Sequence, residues 1–321
     1  MNFSDIKVVQ FNFSLSILMF GLEKLIYLHK GKYSLYFNSL TTSVLGLSFG
    51  LGLVCTNSAS AFEFDKKLVA PDGAANDFFG TPRSVSLSGN TALVGSFLDD
   101  DRGTNSGSAY LFDVTTGELV RKLTAPDGAA NDSFGGSVSL YGDTALVSSN
   151  VDDDKGLNSG SAYLFDVTTG NLLHKLTAPD GSGGDIFGIS VSLSANTALI
   201  GSYRDDDKGT DSGSAYLFDV TTGNFLRKLT APDGAAGDQF GFPVSLSDNT
   251  ALIGGFGDDD QGLNSGSAYL FDVTTGDFLQ KLTAPDGSAG DVFGASVSLS
   301  GDRALPAFLT NSAIAKLQTI M

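Results

Sequence analysis

From residue 68 onward, short apolar runs alternate with clusters of Gly, Asp, Asn, Ser and Thr. Ser137-Val138-Ser139-Leu140 alternates polar and apolar positions, and Thr144-Ala145-Leu146-Val147 follows it. Ser161-Ala162-Tyr163-Leu164-Phe165 is a third run and Leu172-Leu173-His174-Lys175-Leu176 a fourth. Short runs rich in β-branched and aromatic residues, bounded by turn residues, predict strands. Gly142-Asp143 joins the first two, where residues that tolerate positive φ favour a tight hairpin. Gly89-Asn90, Ala195-Asn196, Asp248-Asn249 and Gly301-Asp302 stand at the matching places, and the Val167–Gly170 turn joins the third and fourth strands. No stretch keeps a helical period over three turns. The pattern is a four-stranded meander.

The meander recurs. Prolines of an L-[VT]-A-P-D-G segment fall at 71, 126, 179, 232 and 285, and the first copy carries extra residues at Thr81-Pro82-Arg83. Complete copies run over about 68–122, 123–175, 176–228 and 229–281, with a partial copy at 282–305 and a divergent tail at 306–321. A period of this size fits β-propeller blades and not helical solenoids. Along Ser161–Phe165 both faces are apolar, so each sheet needs a cover on both sides, which neighbouring blades supply. The fold class is all-β: a β-propeller of four-stranded antiparallel blades, five in number with the last incomplete. Phe64–Leu68 is expected to close the last blade as its fourth strand, with Ala315–Ile320 as a poor third. The rival is a truncated six- or seven-bladed propeller.

Charge narrows the partners. Nineteen Lys and Arg stand against 36 Asp and Glu, a formal net charge of -17. That argues against nucleic acid and anionic lipid surfaces. With His29, His174 and Cys55 alone, thiolate zinc sites and Cys–His nucleophiles cannot be built. Residues 33–54 are apolar and uncharged, preceded by Lys30 and Lys32 and followed by Ala59-Ser60-Ala61. Basic flank, apolar core and small-residue site predict a signal peptide within an N-terminal extension, 1–61, cut after Ala61; an uncleaved anchor is the alternative. The mature chain, 62–321, is then secreted or held at the cell surface, without Cys and without a membrane span.

The Phe-Gly pairs Phe79-Gly80, Phe134-Gly135, Phe187-Gly188, Phe240-Gly241 and Phe293-Gly294 resemble the FG-GAP repeat family, the propeller repeats of integrin alpha chains and of many exported bacterial proteins. The likeness covers 68 to about 305 and is nearest the bacterial branch. It implies a propeller that binds or adheres to other molecules. Integrin-type repeats carry a calcium loop between the first and second strands. Here that connection is a two-residue turn, so calcium is not carried over at that position.

Acids gather instead between the second and third strands, as Asp99-Asp100-Asp101, Asp152-Asp153-Asp154, Asp205-Asp206-Asp207 and Asp258-Asp259-Asp260. Asn105, Asn158, Asp211 and Asn264 follow in a Gly-turned loop. Hard oxygen ligands at alternating positions suit calcium, with Asp99, Asp101, Asp152, Asp154, Asp205, Asp207, Asp258 and Asp260 joined by those four residues. The plain alternative is a solvated acidic turn, since no bidentate Glu closes the loop. A second acidic loop carries Asp72 and Asp77, Asp127 and Asp132, Asp180 and Asp185, Asp233 and Asp238, and Asp286 and Asp291. Its Pro and Gly read as an inter-blade turn. Strand parity puts both loop sets on one face of the disc, where so many carboxylates would repel one another unless a cation intervened.

No catalytic residue is expected. Acids repeated in every blade offer similar environments, whereas a glycosidase needs one differentiated pair. The expected function is an exported binding or adhesion module for a protein or glycan surface, with symmetric loops suited to multivalent attachment. The alternative is a secreted hydrolase or lyase acting on polysaccharide at the propeller axis.

Overall fold

Each Thr-Ala-Leu-Val/Ile segment is the second strand of an antiparallel sheet, flanked by the strands that the alternation predicts. The computed structural model describes residues 66–307, together with the backbone of β1 (Val8–Gln10), β2 (Lys24–His29), β3 (Lys32–Phe37) and β22 (Gln318–Thr319). The chain divides into two units, Met1–Lys67 and Leu68–Met321. In the first, β1, β2 and β3 form an antiparallel sheet. Beyond Phe37, the expected signal segment and its Ala59-Ser60-Ala61 site lie outside the described residues.

In the second unit the first sheet contains β4 (Val85–Ser88), β5 (Thr91–Ser96), β6 (Ser108–Asp113) and β7 (Leu119–Leu123). The second contains β8 (Phe134–Tyr141), β9 (Thr144–Ser149), β10 (Ser161–Asp166) and β11 (Leu172–Leu176). The third contains β12 (Ser190–Ser194), β13 (Thr197–Ser202), β14 (Ser214–Asp219) and β15 (Phe225–Leu229). The fourth contains β16 (Phe240–Ser247), β17 (Thr250–Gly255), β18 (Ser267–Asp272) and β19 (Phe278–Leu282). The fifth holds β20 (Ser296–Ser300), β21 (Arg303–Ala307) and β22. Strands pair in sequence order throughout. The fold is an all-β propeller with four complete blades and a partial fifth.

Two faces of each sheet are buried, as the apolar runs require. On β10, Tyr163 and Phe165 pack backward among Leu93, Ala109 and Leu111 of the first blade. Ala162 and Leu164 pack forward among Val191, Ile200 and Tyr216 of the third. First strands line the axis: Val85, Val138, Val191, Val244 and Val297, one from each sheet, border a single cavity. Serines stitch these strands together. The Leu140, Leu193 and Leu246 amides donate to Ser86, Ser139 and Ser192 Oγ of the preceding blade, each at 2.9 Å.

The seam between last and first blades differs. β22 takes the third-strand place, pairing Thr319 with Arg303. Of the closing strand expected at Phe64–Leu68, Phe64 and Asp65 lie outside the described residues. Lys66, Lys67 and Leu68 lie in no strand, although Leu68 packs on the first blade's cluster of Ala92, Val94 and Tyr110 as Leu123 packs on the second blade's. The third strand that this segment would pair with, β22, is two residues long and offers little edge. On the inner strands, Val85 and Leu87 are 54% and 64% exposed, whereas Val191 and Leu193 are each 7% exposed beneath a preceding blade.

Candidate functional site on the loop face

Parity does bring the two acidic loops together, and a lysine stands between them. Lys122, on β7, places Nζ 2.7 Å from Asp72, 3.3 Å from Asp99 and 2.5 Å from Asp101. Lys175 joins Asp127, Asp152 and Asp154 in the same way; Lys228 joins Asp180, Asp205 and Asp207; Lys281 joins Asp233, Asp258 and Asp260. A buried tyrosine completes each group. Tyr163 Oη lies 2.9 Å from Asp127 Oδ1 and 3.0 Å from Asp152 Oδ2, while Lys175 Nζ sits over its ring at 5.2 Å.

The three acids of each triplet hold separate posts. Asp152, first and buried, accepts from Tyr163, Ser161 Oγ and the Asp154 amide. Asp153, second and exposed, accepts the Asn158 amide at 2.7 Å and so closes the loop. Asp154, third, pairs with the lysine. Asn105, Asn158, Asp211 and Asn264 all adopt positive φ and serve that turn. Asn105 Nδ2 turns to Asn131 Oδ1 at 3.3 Å. Of the twelve residues expected to ligate calcium, the Asp pairs therefore gather, but with Asp72 and its copies in place of the fourth polar residue.

Three carboxylates within 4.8 Å of one another, as in Asp72, Asp99 and Asp101, are a set that could hold a metal ion. The lysine ammonium already stands at their meeting point, so a divalent ion would have to displace it. Electrostatics follow that arrangement. The Lys122 hydrogen bond holds the Asp72 carboxyl below the usual range. Burial pushes Asp127 and Asp180 upward, but bonds from lysine and tyrosine outweigh it and both end lowered. Burial likewise works against Lys175, yet Asp127 and Asp154 carry it up to about 12. Desolvation raises Tyr163, Tyr216 and Tyr269.

Asp132, Asp185 and Asp238 lie apart from the lysines. Each caps its own turn, as Asp132 Oδ2 does for the Ala129 amide at 2.6 Å, and burial raises all three. A second clasp links consecutive blades: Lys155 Nζ donates to the Ala178 and Pro179 carbonyls at 2.7 and 2.9 Å. On the opposite face, Arg121, His174 and Arg227 reach the Thr168, Thr221 and Thr274 carbonyls of the following blade. His174 is thus part of an inter-blade contact. Lys122, Lys175, Lys228 and Lys281 were not expected at the acidic site, although each immediately follows the variable residue of that contact and is itself the same in all four copies.

Inside the belt of acid–lysine groups, two cavities of about 660 and 340 Å³ open around the axis. Arg83 borders both, its guanidinium 4.5 Å from the Phe242 ring centroid and Nη1 3.4 Å from the Ile189 carbonyl.

Radial four-stranded blades with both acidic loop sets on one face define a repeat β-propeller. The FG-GAP repeat model matches residues 62–112, 118–165, 171–218, 224–271 and 277–305, and the chain belongs to this family. No curated protein matches it in sequence. Among solved structures it is similar to the computationally designed Ika8 protein, at 15% identity and a TM-score of 0.49, over 74% of this chain and 57% of that one. The designed Ika4 protein aligns at 15% identity and a TM-score of 0.42, over 65% of this chain and 99% of that one. The chain thus spans just over half the length of the designed Ika8 protein. Among the described residues no helix is long and apolar enough to cross a membrane.

Proposed function

We propose that this FG-GAP propeller is an exported binding module, without catalytic activity, that adheres through its loop face to a protein or glycan surface. The observation that carries this reading is the repeated acid–lysine–tyrosine group. A polysaccharide hydrolase needs two carboxyls tuned apart, one protonated and one ionised. Here three carboxylates of each complete blade are tied into a lysine-bridged group that stiffens the face, while Asp132, Asp185 and Asp238 cap their own turns. The same arrangement recurs from blade to blade without singling out one pair. Rigid repeated loops suit multivalent contact, in which weak individual contacts combine. Export follows from the apolar segment 33–54 and Ala59-Ser60-Ala61.

Calcium, in this reading, is not needed for the fold, because each lysine already supplies the cation. The test is to express the full chain, locate it by fractionation, and apply the secreted form to arrayed glycans and intact cell surfaces. Saturable retention without turnover of any glycan supports the proposal. Turnover abolished by a single Asp→Asn change, or retention of the chain in the cytoplasm, overturns it.

A further inference from the structure

The copies differ at a number of positions, and three of those positions meet in space. The residue before each Phe-Gly pair differs in all five copies: Phe78, Ser133, Ile186, Gln239 and Val292. So does the insert after it: Thr81-Pro82-Arg83, Gly136, Ile189, Phe242 and Ala295. The residue after the second strand is Phe97, Asn150, Tyr203 or Phe256. Every residue lining the smaller cavity comes from these three positions, and the larger one adds the axial strands to them.

Variation also falls on the opposite face, at hairpin turns such as Gly89-Asn90 and Ala195-Asn196, so it is the kind of residue that sets the axial positions apart. Phe78 is 52% exposed with its ring 5.5 Å from that of Phe97, while Phe242 meets Phe256 at 5.6 Å and Tyr203 at 5.9 Å. Large apolar side chains gathered at a concave opening mark a ligand site more than a solvated rim.

Charge identifies the ligand class. In a chain of net charge -17, the cation lining both cavities is Arg83, exposed and lying over the Phe242 ring; Arg204, also exposed, lies over Tyr203 outside the lining of either cavity. Neither forms an ion pair among the described residues. The other basic groups of the loop face are engaged, the strand lysines by carboxylates and Arg102, Lys155 and Lys208 by inter-blade carbonyls. A guanidinium with free donors above an apolar, aromatic wall matches a carboxylate attached to a flat apolar body.

We propose that the axial opening, floored by Phe242 and Phe256 and gated by Arg83, binds a small aromatic carboxylate. The repeats then divide their labour: an invariant outer belt holds the blades, and a variable inner ring makes one asymmetric site within a pseudo-symmetric disc. This deepens the binding-module reading by naming a site on the same face. It can stand even if retention on cell surfaces fails, because its test uses a free small molecule.

The test titrates the purified full chain with indole-3-acetate, indole-3-acetamide and glucuronate, read by calorimetry and by backbone NMR shifts. The aromatic acid should bind, with shifts centred on Arg83, Ile189 and Phe242. The neutral amide and the polar acid should each bind about tenfold more weakly, the amide lacking the charge-assisted bond and glucuronate the flat apolar body. Arg83→Gln should bring the affinity for the acid down to that for the amide and leave the amide unchanged. Phe242→Ala should weaken both. Equal binding of acid and amide, equal binding of glucuronate, or shifts centred on the Asp–Lys belt overturns the proposal. Should Arg83→Gln not fold, the wild-type shift map and the acid-to-amide ratio still decide.

Discussion

Lys175 Nζ lies 2.7 Å from Asp127 Oδ2, although 48 residues separate them. The contact ties the outermost strand of a blade to the loop that enters the same blade. Asp152 at 3.3 Å and Asp154 complete the set, so one ammonium serves three carboxylates. A face that composition alone would make self-repelling is held together by its own lysines.

Replacing that cation should reveal what it does. Lys228→Met leaves Asp180, Asp205 and Asp207 facing one another, with Asp205 buried. The expected loss is about 2–3 kcal/mol, below the full cost of orphaning a buried charge because two of the acids are half-exposed. Calcium at matched ionic strength should restore part of the melting temperature in this variant and leave the wild type nearly unchanged. A wild type stabilised by calcium as strongly as the variant would show that the ion, not the lysine, is the native partner.

The pH profile follows from the same contacts. Asp72, Asp127, Asp180 and Asp258 are lowered from 3.8 in the fold, so their stabilisation is present above that value and is lost as pH falls through their folded values. Asp132, Asp185 and Asp238 are raised and act oppositely: their contribution is present below 3.8 and is lost as pH rises through their folded values. The acid limb should therefore be shallow. Lys175 is raised from 10.5 to about 12 and Tyr163 is raised from 10.0, so the stability they contribute is lost as pH climbs past 10. Thermal melts from pH 3 to 12 should show the steeper fall on the alkaline side, and Lys175→Met should flatten it.

The serine stitching of the axis can be weighed within one molecule. Ser192→Ala removes the acceptor of the Leu246 amide and should cost about 1 kcal/mol by denaturant unfolding. Ser298→Ala, at the corresponding strand position of the fifth sheet, accepts no inter-blade amide among the described residues and should stay within about 0.5 kcal/mol. Equal losses would mean that the inter-blade bond is not what the serine contributes.

Glycine positions separate close approach from turn preference. Gly160 has φ +84, and an added Cβ would run into the Phe187 carbonyl of the next blade. Gly160→Ala should cost about 3 kcal/mol or more. Gly142, at φ +54 in an open hairpin, has nothing nearby, so Gly142→Ala should cost about 1 kcal/mol. Comparable melting temperatures for the two variants would remove the packing explanation.

Local pattern was enough to read the strands, their meander and the radial packing, because two apolar faces on Ser161–Phe165 admit few covers and a fixed period admits few architectures. Strand parity likewise placed Asp72 near Asp99 before any coordinates, since it depends only on how many strands a blade has. The Lys-Lys-Leu at 66–68 matches a fourth strand in type, and Leu68 makes the contact that Leu123 makes one blade on, yet these residues lie in no strand beside the two-residue β22. Within the acidic loops, side-chain type said that a cation belonged there and nothing about which one. Whether it comes from solvent or from Lys122 depends on where β7 delivers its ammonium, a matter of distances between residues far apart in the chain. Asn105 and its copies looked like ligands by spacing, yet positive φ commits them to the turn. The axial opening is the clearest case. Phe78, Arg83, Ile189 and Phe242 look like unrelated departures from a repeat when read along the chain. Only closure of the blades around an axis, driven by burial of both faces of every sheet, turns those departures into one site.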